Sequence, residues 1–277
     1  MHIPTTKLGD IEVSRLGFGA MRVIGNDQVW GEPRDRGHAH EMLRSAFALG
    51  MNFFDTAESY GPHTSETLIA EALHPYPKGL VIGTKCGIAR PRPGRWDPDC
   101  RPEKLRSDLE GSLKRLRLEC IDLYQLHTVD PNVPLEVSVG TLAEMQRGGK
   151  IRHIGLSNVS VEQIKLARTI VPIVSVQNRY GFSDRASEEV LRYCEEHGIA
   201  FLPWYPLGGQ GAVPASSVKK VAKKIGATSN QVMLAWLLAK SPVMLPIPGT
   251  NSLDHLKENA ASKTLQLTPE DMLTLEP

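Results

Sequence analysis

Four residues in the first half of the chain have the types needed to place a proton on a carbonyl oxygen. Asp55 and Tyr60 lie in Asn52-Phe53-Phe54-Asp55-Thr56-Ala57-Glu58-Ser59-Tyr60-Gly61, directly after an apolar pair; Lys85 follows Leu80 to Thr84, and His127 follows Ile121 to Leu126. A phenol with an ordinary pKa of about 10 is a poor acid near neutrality, but an adjacent ammonium favours its phenolate and eases proton donation. Lys85 can supply that ammonium, Asp55 the counter-charge that keeps it protonated, and His127 a hydrogen bond to the carbonyl oxygen. Taken singly, Asp55 also reads as a helix cap, Lys85 as a solvated charge, His127 as a bonded core residue and Tyr60 as a packed aromatic. Their recurrence at the ends of three consecutive apolar runs favours one shared site. None of these side chains can deliver hydride, so carbonyl reduction here requires a nicotinamide cofactor.

Elements that could bring the four together are legible in the same pattern. Eight strand-length runs alternate with helix-length segments: Leu16-Gly17-Phe18, Met51 to Phe54, Leu80 to Thr84, Ile121 to Leu126, His153 to Leu156, Ile173 to Val176, Ile199 to Leu202 and Val243 to Ile247. Leu105, Leu109, Leu113 and Leu116 behind Pro102 form the buried stripe of a helix whose other face carries Glu103, Lys104, Arg106 and Asp108. Ser160 to Gln163 and Thr228 to Gln231 have capping-box spacing. Eight such units over 277 residues, with no linker or composition shift, predict a single α/β domain over 1–277: a (β/α)8 TIM barrel. Thr5–Leu8 and Ile11–Ser14, flanking Gly9-Asp10, predict an N-terminal hairpin. A dinucleotide fold of the Gly-x-Gly-x-x-Gly type is disfavoured, because Gly17-Phe18-Gly19-Ala20-Met21-Arg22 lacks the third glycine.

In a barrel, groups just past the strand ends share one mouth. The fifth and sixth runs deliver Ser157, Asn158, Gln177 and Asn178, suited to a planar carboxamide. The seventh leads into Trp204-Tyr205-Pro206-Leu207-Gly208-Gly209, an aromatic face followed by a turn where backbone can approach a pyrophosphate. The eighth leads into Ile247-Pro248-Gly249-Thr250 and a short helix whose amides could hold phosphate.

Composition narrows the partners. A formal charge of +1 without a basic stripe or acidic tail argues against nucleic acid and membrane surfaces. Cys86, Cys100, Cys120 and Cys194 are scattered, which suggests neither zinc site nor disulfide framework. No signal peptide is legible at Met1-His2-Ile3-Pro4, and no apolar run reaches the ~20 residues of a membrane span. A cytoplasmic protein acting on a small molecule, without metal, is expected.

Across nearly its full length the sequence resembles the aldo-keto reductases. The motifs that carry the likeness are Asp55-Thr56-Ala57 with Tyr60-Gly61, Thr84-Lys85, Leu126-His127, Ile154-Gly155-Leu156-Ser157-Asn158, Gln177-Asn178 and Ile247-Pro248-Gly249-Thr250. The resemblance implies a barrel closed at its bottom by the hairpin and NAD(P)H lying extended across its top. It implies Tyr60 as general acid, Asp55 and Lys85 as its tuners and His127 as the carbonyl donor. Cofactor contacts would come from Gly19, Ala20, Met21, Asp55, Ser157, Asn158, Gln177, Trp204 to Gly209, Ile247 to Thr250, His255, Glu258 and Asn259. Many members have Ile-Pro-Lys-Ser at 247–250 and an Arg where His255 stands, so two cationic contacts to a 2′-phosphate are missing. A bacterial branch with Ile-Pro-Gly-Thr and the same Glu-Asn pair uses NADPH, which is the cofactor expected here, with NADH as the alternative.

Glu32-Pro33-Arg34-Asp35-Arg36, Tyr60-Gly61-Pro62-His63 and Pro206 to Gly209 are similar to a bacterial subgroup that includes pyridoxal reductases. The substrate pocket expected on this reading combines Trp30, Tyr60, Trp96 and His127, and the substrate is a small aldehyde of pyridoxal type or another small carbonyl compound. The loop Gly87 to Arg101, with Arg90, Arg92, Arg95 and Trp96, reads either as a lip for an anionic substrate or, preferably, as a solvated loop. A final helix begins at Thr268-Pro269 and stops at Pro277, short of the loop many relatives carry, consistent with an open mouth or a trimmed boundary. Monomer or weak homo-oligomer is the expected state. Two other functions remain open: a cofactor-binding regulatory subunit on the same fold, and a Schiff-base lyase using Lys85.

Overall fold

The structure, a computed structural model, describes residues 5–209 and 214–276. The readings made at Met1–Pro4 and at Pro277 lie outside them.

Strands β1 (Thr5–Leu8) and β2 (Ile11–Ser14) pair antiparallel around Gly9, whose φ of +63° suits glycine and whose Cβ, if present, would strike the His153 ring. The alternation then runs β3 (Phe18–Gly19), α1 (Arg36–Ala48), β4 (Phe53–Asp55), α2 (Thr64–Leu73), β5 (Val81–Cys86), the small antiparallel pair β6 (Ile88–Ala89) and β7 (Asp97–Pro98), and α3 (Pro102–Leu116). It continues as β8 (Ile121–Leu126), α4 (Leu135–Arg147), β9 (Ile151–Ser157), α5 (Val161–Arg168), β10 (Ile173–Gln177), α6 (Glu188–Glu196) and β11 (Ala200–Phe201). Helices α7 (Ser216–Ile225), α8 (Ser229–Lys240), α9 (Leu253–Ala261) and α10 (Pro269–Leu275) complete the described chain.

Seven strands hydrogen-bond in parallel in the order β11-β10-β9-β8-β5-β4-β3. The eighth apolar run is not a regular strand, contrary to the sequence expectation. Pro246 and Pro248 have no N–H to donate, so the ladder is interrupted there. The segment still bridges the sheet's two edges: Phe201 N donates to Val243 O at 2.9 Å and Leu245 N to Phe201 O at 2.8 Å, while Gly17 N donates to Pro246 O at 2.9 Å and Gly19 N to Pro248 O at 3.3 Å.

Leu8 and Val13 of the hairpin pack with Phe53, Val81, Leu123, Leu202 and Leu245 in a cluster separate from the larger layer between sheet and helices. The α3 leucines are all buried and Pro102 starts the helix. Asp108 departs from the expected solvent face: it is buried, pairs with Lys104 and accepts from Gly87 N at 3.1 Å. Both capping boxes form, Ser160 with Gln163 and Thr228 with Gln231. Three cysteines are buried, and Cys120 is exposed. Among the described residues no helix is long and apolar enough to cross a membrane.

Candidate active site

Strand register places the polar groups on the strands themselves. Asp55 is the last residue of β4 and pairs with Gly83 of β5, Lys85 lies within β5, and His127 directly follows β8, its N–H bonded to Cys86 O at 2.9 Å. Backbone this regular holds their side chains to one geometry. Lys85 Nζ donates to Asp55 Oδ2 at 2.6 Å, to Thr56 O at 2.8 Å and to Tyr60 Oη at 3.4 Å. All three ammonium protons are therefore used, which is what a fully buried lysine needs.

Asp55 is equally engaged. Its Oδ1 accepts from Gln177 Nε2 at 2.7 Å and Gln125 Nε2 at 3.2 Å. Gln125 was not singled out in the sequence, although a lone amide two residues beyond inward-facing Leu123 is the available signal. Burial opposes the charge of Lys85, but Asp55 and Tyr60 outweigh it and its pKa is raised. For Tyr60, burial raises the phenol pKa, Lys85 pulls it down and Asp55 pushes it up, with a net rise. The phenol thus keeps its proton until a base at bonding distance takes it. Burial, then the charges of Lys85 and Arg90, hold the His127 imidazolium far below its ordinary range, so the ring is neutral. Tyr60 and His127 meet edge to face at 5.8 Å between ring centroids.

Asp55, Tyr60 and His127 line a cleft of about 990 Å³, and Lys85, fully buried, reaches it only through its bonds to Asp55 and Tyr60. Of the residues expected at a cofactor, Gly19, Met21, Asp55, Ser157, Asn158, Gln177, Trp204 to Leu207, Gly209, Ile247 to Thr250 and His255 line it. Ala20, Gly208, Glu258 and Asn259 do not. The Glu258 carboxylate accepts from Thr228 Oγ1 and its backbone carbonyl from Gln231 Nε2, which ties α9 to the start of α8. Asn178 spends both ends of its amide on the Val159 backbone, at 3.0 and 2.8 Å. Asn158 is clamped by Trp204, whose Nε1 donates to its Oδ1 at 3.0 Å, and donates in turn to His127 O at 3.0 Å. Asn251, in the run that follows the eighth segment, also lines the cleft, as do Arg22, Asn26 and Asn230, to which no site motif pointed.

The arginine-rich loop turns inward at one residue. Arg90, 9 % exposed, lies 3.5 Å from the Trp96 ring centroid and 5.4 Å from that of Trp30. Its guanidinium donates to Ser59 O at 2.8 Å, Arg95 O at 2.9 Å, Gln28 O at 3.0 Å and Val29 O at 3.4 Å. Arg90 is therefore a staple between three loops, with four of its five N–H groups given to backbone carbonyls, while Arg95 and Arg101 pair with Asp97 and Asp99 at the surface. Trp96 lines the cleft and reaches Tyr60 and His127 edge-on at 6.2 and 6.4 Å. Trp30 does not line it; its ring backs Arg90 instead, so it acts on the pocket through Trp96.

Behind the site lies a second set of buried charges. Glu66 accepts from Thr84 Oγ1 at 2.5 Å and from Arg115 Nε at 2.7 Å. Among the described residues Glu58 has no hydrogen-bond partner for Oε1, and burial followed by repulsion from Asp108 pushes its pKa up to about 8.

Comparison with known proteins places this geometry in company. The sequence profile described as the aldo/keto reductase family matches residues 15–276. An uncharacterized oxidoreductase of Schizosaccharomyces pombe is 47% identical over 98% of this chain and 89% of its own length. Pyridoxine 4-dehydrogenase of Escherichia coli is 43% identical over 100% of this chain and 98% of its own. Among solved structures, a thermostable aldo-keto reductase in complex with the inhibitor epalrestat superposes with a TM-score of 0.86 at 31% identity, covering 98% of each chain.

Proposed function

Because this chain belongs to the aldo/keto reductase family, we propose that it reduces an aldehyde or ketone to the alcohol with NADPH, Tyr60 acting as general acid. The observation that carries this reading is the Asp55–Lys85–Tyr60 chain of bonds, 2.6 and 3.4 Å long, with a neutral His127 beside the phenol. The reading keeps the whole chain as one barrel domain whose floor is covered by the β1–β2 hairpin.

The cleft suits an extended dinucleotide. Gln177 directs its Nε2 at Asp55, which frees its amide oxygen to accept from a carboxamide. Ser157 and Asn158 flank that position, and Trp204, held by Asn158, offers a ring face. Gly19 and Gly249 bring two backbones so close that a Cβ on Gly249 would lie 2.6 Å from Gly19 O. That close approach leaves peptide groups, not side chains, at the cleft wall. Once bound, a reduced nicotinamide would supply the hydride.

The residues of the chain would do the rest. The carbonyl oxygen would accept from Tyr60 Oη and from His127, and the Tyr60 proton would pass to that oxygen as negative charge develops on it. Lys85, 3.4 Å away, would stabilise the phenolate left behind, and Asp55 would keep the ammonium charged. Trp96, Ile88 and Pro98 line the substrate side and would exclude water. Likeness to pyridoxine 4-dehydrogenase supports a pyridoxal-type aldehyde as substrate. The bonds that Lys85 makes to Asp55, Thr56 and Tyr60 favour a charged amine, which disfavours Schiff-base chemistry. Substituting Tyr60→Phe and measuring NADPH oxidation with pyridoxal and a panel of aldehydes tests the proposal. Loss of at least a hundredfold in kcat is expected, and a rate near that of the unmodified protein would refute it.

A further inference from the structure

Ser59 lies one residue before Tyr60, 0 % exposed, with its Oγ 3.3 Å from His127 Nδ1. Among the described residues this is the hydroxyl's single hydrogen-bond partner. A serine hydroxyl carries one proton and can accept as well as donate. Were Nδ1 to hold the ring proton and donate it to Oγ, the hydroxyl's own proton would be buried with no acceptor among the described residues, which is unfavourable. The favourable arrangement has the hydroxyl donating to a bare Nδ1. A neutral imidazole has one N–H, so that proton then resides on Nε2. No described residue bonds Nε2, and the ring lines the cleft.

We propose that Ser59 is a positioning residue that holds His127 in its Nε2–H tautomer, so that the ring presents a donor to the substrate's carbonyl oxygen. The inference rests on the carbonyl-reducing reading for its purpose, though not for its geometry. One further contact fixes the arrangement. The peptide that bears the hydroxyl is tied down by Arg90, whose Nη1 donates to Ser59 O at 2.8 Å. The opposite tautomer would put a bare lone pair toward the carbonyl oxygen, which is itself an acceptor, and would repel the substrate. Arg90 thus steadies the tautomer through the Ser59 backbone while also carrying Trp96.

Histidine tautomers are read directly from two-bond proton–nitrogen correlation spectra of 15N-histidine-labelled protein, with His127→Gln used to assign the ring. At neutral pH the unmodified protein should show an unprotonated Nδ1 and a protonated Nε2 at His127. In Ser59→Ala the two nitrogens should move toward averaged shifts as the tautomers exchange, and kcat for aldehyde reduction should fall roughly tenfold while NADPH affinity holds. Ser59→Thr, which keeps the hydroxyl, should restore both. A protonated Nδ1 in the unmodified protein, or an unchanged His127 spectrum in Ser59→Ala, would overturn the proposal. The spectrum reports the tautomer whether or not the protein reduces aldehydes, so failure of the functional reading and failure of this inference are told apart.

Discussion

Lys85 Nζ lies 2.6 Å from Asp55 Oδ2 with both side chains removed from solvent, and 3.4 Å from Tyr60 Oη. A buried pair of this kind is costly to break, since the survivor is left charged without compensation. Replacing Lys85 by Met should therefore do two separable things. Stability should drop by about 3 kcal/mol, read as a lower midpoint in urea. The reductive rate should fall by roughly a hundredfold or more, and the alkaline limb of its pH profile should move up. The sign follows from Tyr60: removing the cation that lowers its pKa raises a value that burial has already raised, and the phenol is active as acid only while protonated. An alkaline limb that moved down would contradict the assignment of Tyr60 as the titrating acid.

Arg90 should control the substrate side without touching the cofactor side. Arg90→Met removes four carbonyl partners and the stacking charge on Trp96, with an expected cost of about 2 kcal/mol. KM for an aromatic aldehyde should rise roughly tenfold, because Trp96 loses the face that fixes it. NADPH affinity, measured by quenching of protein fluorescence, should be unaltered. A weakened NADPH complex would place Arg90 in a different role.

Glu58 predicts how stability varies with pH. Its carboxyl pKa is raised from 4.5 to about 8, so the folded state holds a proton that the unfolded state releases between those values. Its contribution is fully present below 4.5 and is lost as pH rises toward 8. Glu58→Gln should therefore gain on the unmodified protein as pH rises, reaching about 4 kcal/mol at pH 8. Thermal melts of both proteins from pH 5 to pH 8.5 would show the difference growing. A constant offset would mean that Glu58 is not the group responsible.

Gly249 decides what can stand at the eighth segment. A Cβ there would meet the Gly19 carbonyl oxygen at 2.6 Å, a backbone atom that cannot swing aside. Gly249→Lys, which copies the residue of many relatives, should thus destabilise the protein by about 1–3 kcal/mol and should not improve discrimination between NADPH and NADH. Parallel binding titrations with the two cofactors check this, and a Lys variant of full stability with tighter NADPH binding would refute it.

Much of the site was legible because it is written locally. Asp55, Lys85 and His127 each end or follow an apolar run, and backbone hydrogen bonding carries that phase into space without further information. The α3 stripe and the two capping boxes were legible for the same reason, as both depend on neighbours within four residues. What could not be read depends on groups far apart in the chain. Gln125 reaches Asp55 across 70 positions and Gln177 across 122.

The sequence by itself determined the order of strands and helices, the family likeness and the types of chemistry available, because hydrophobic period and residue type are local properties. Tertiary structure decided which of the available groups are spent. It turned Arg90 from a charge on a solvated loop into a buried staple, withdrew Asn178, Glu258 and Trp30 from the cleft lining, and broke the eighth strand at its prolines. It also placed the Ser59 hydroxyl on the His127 ring, 68 positions away. Which donor meets which acceptor is settled by closure of the parallel sheet and by burial, and neither has a signature in any short stretch of the chain.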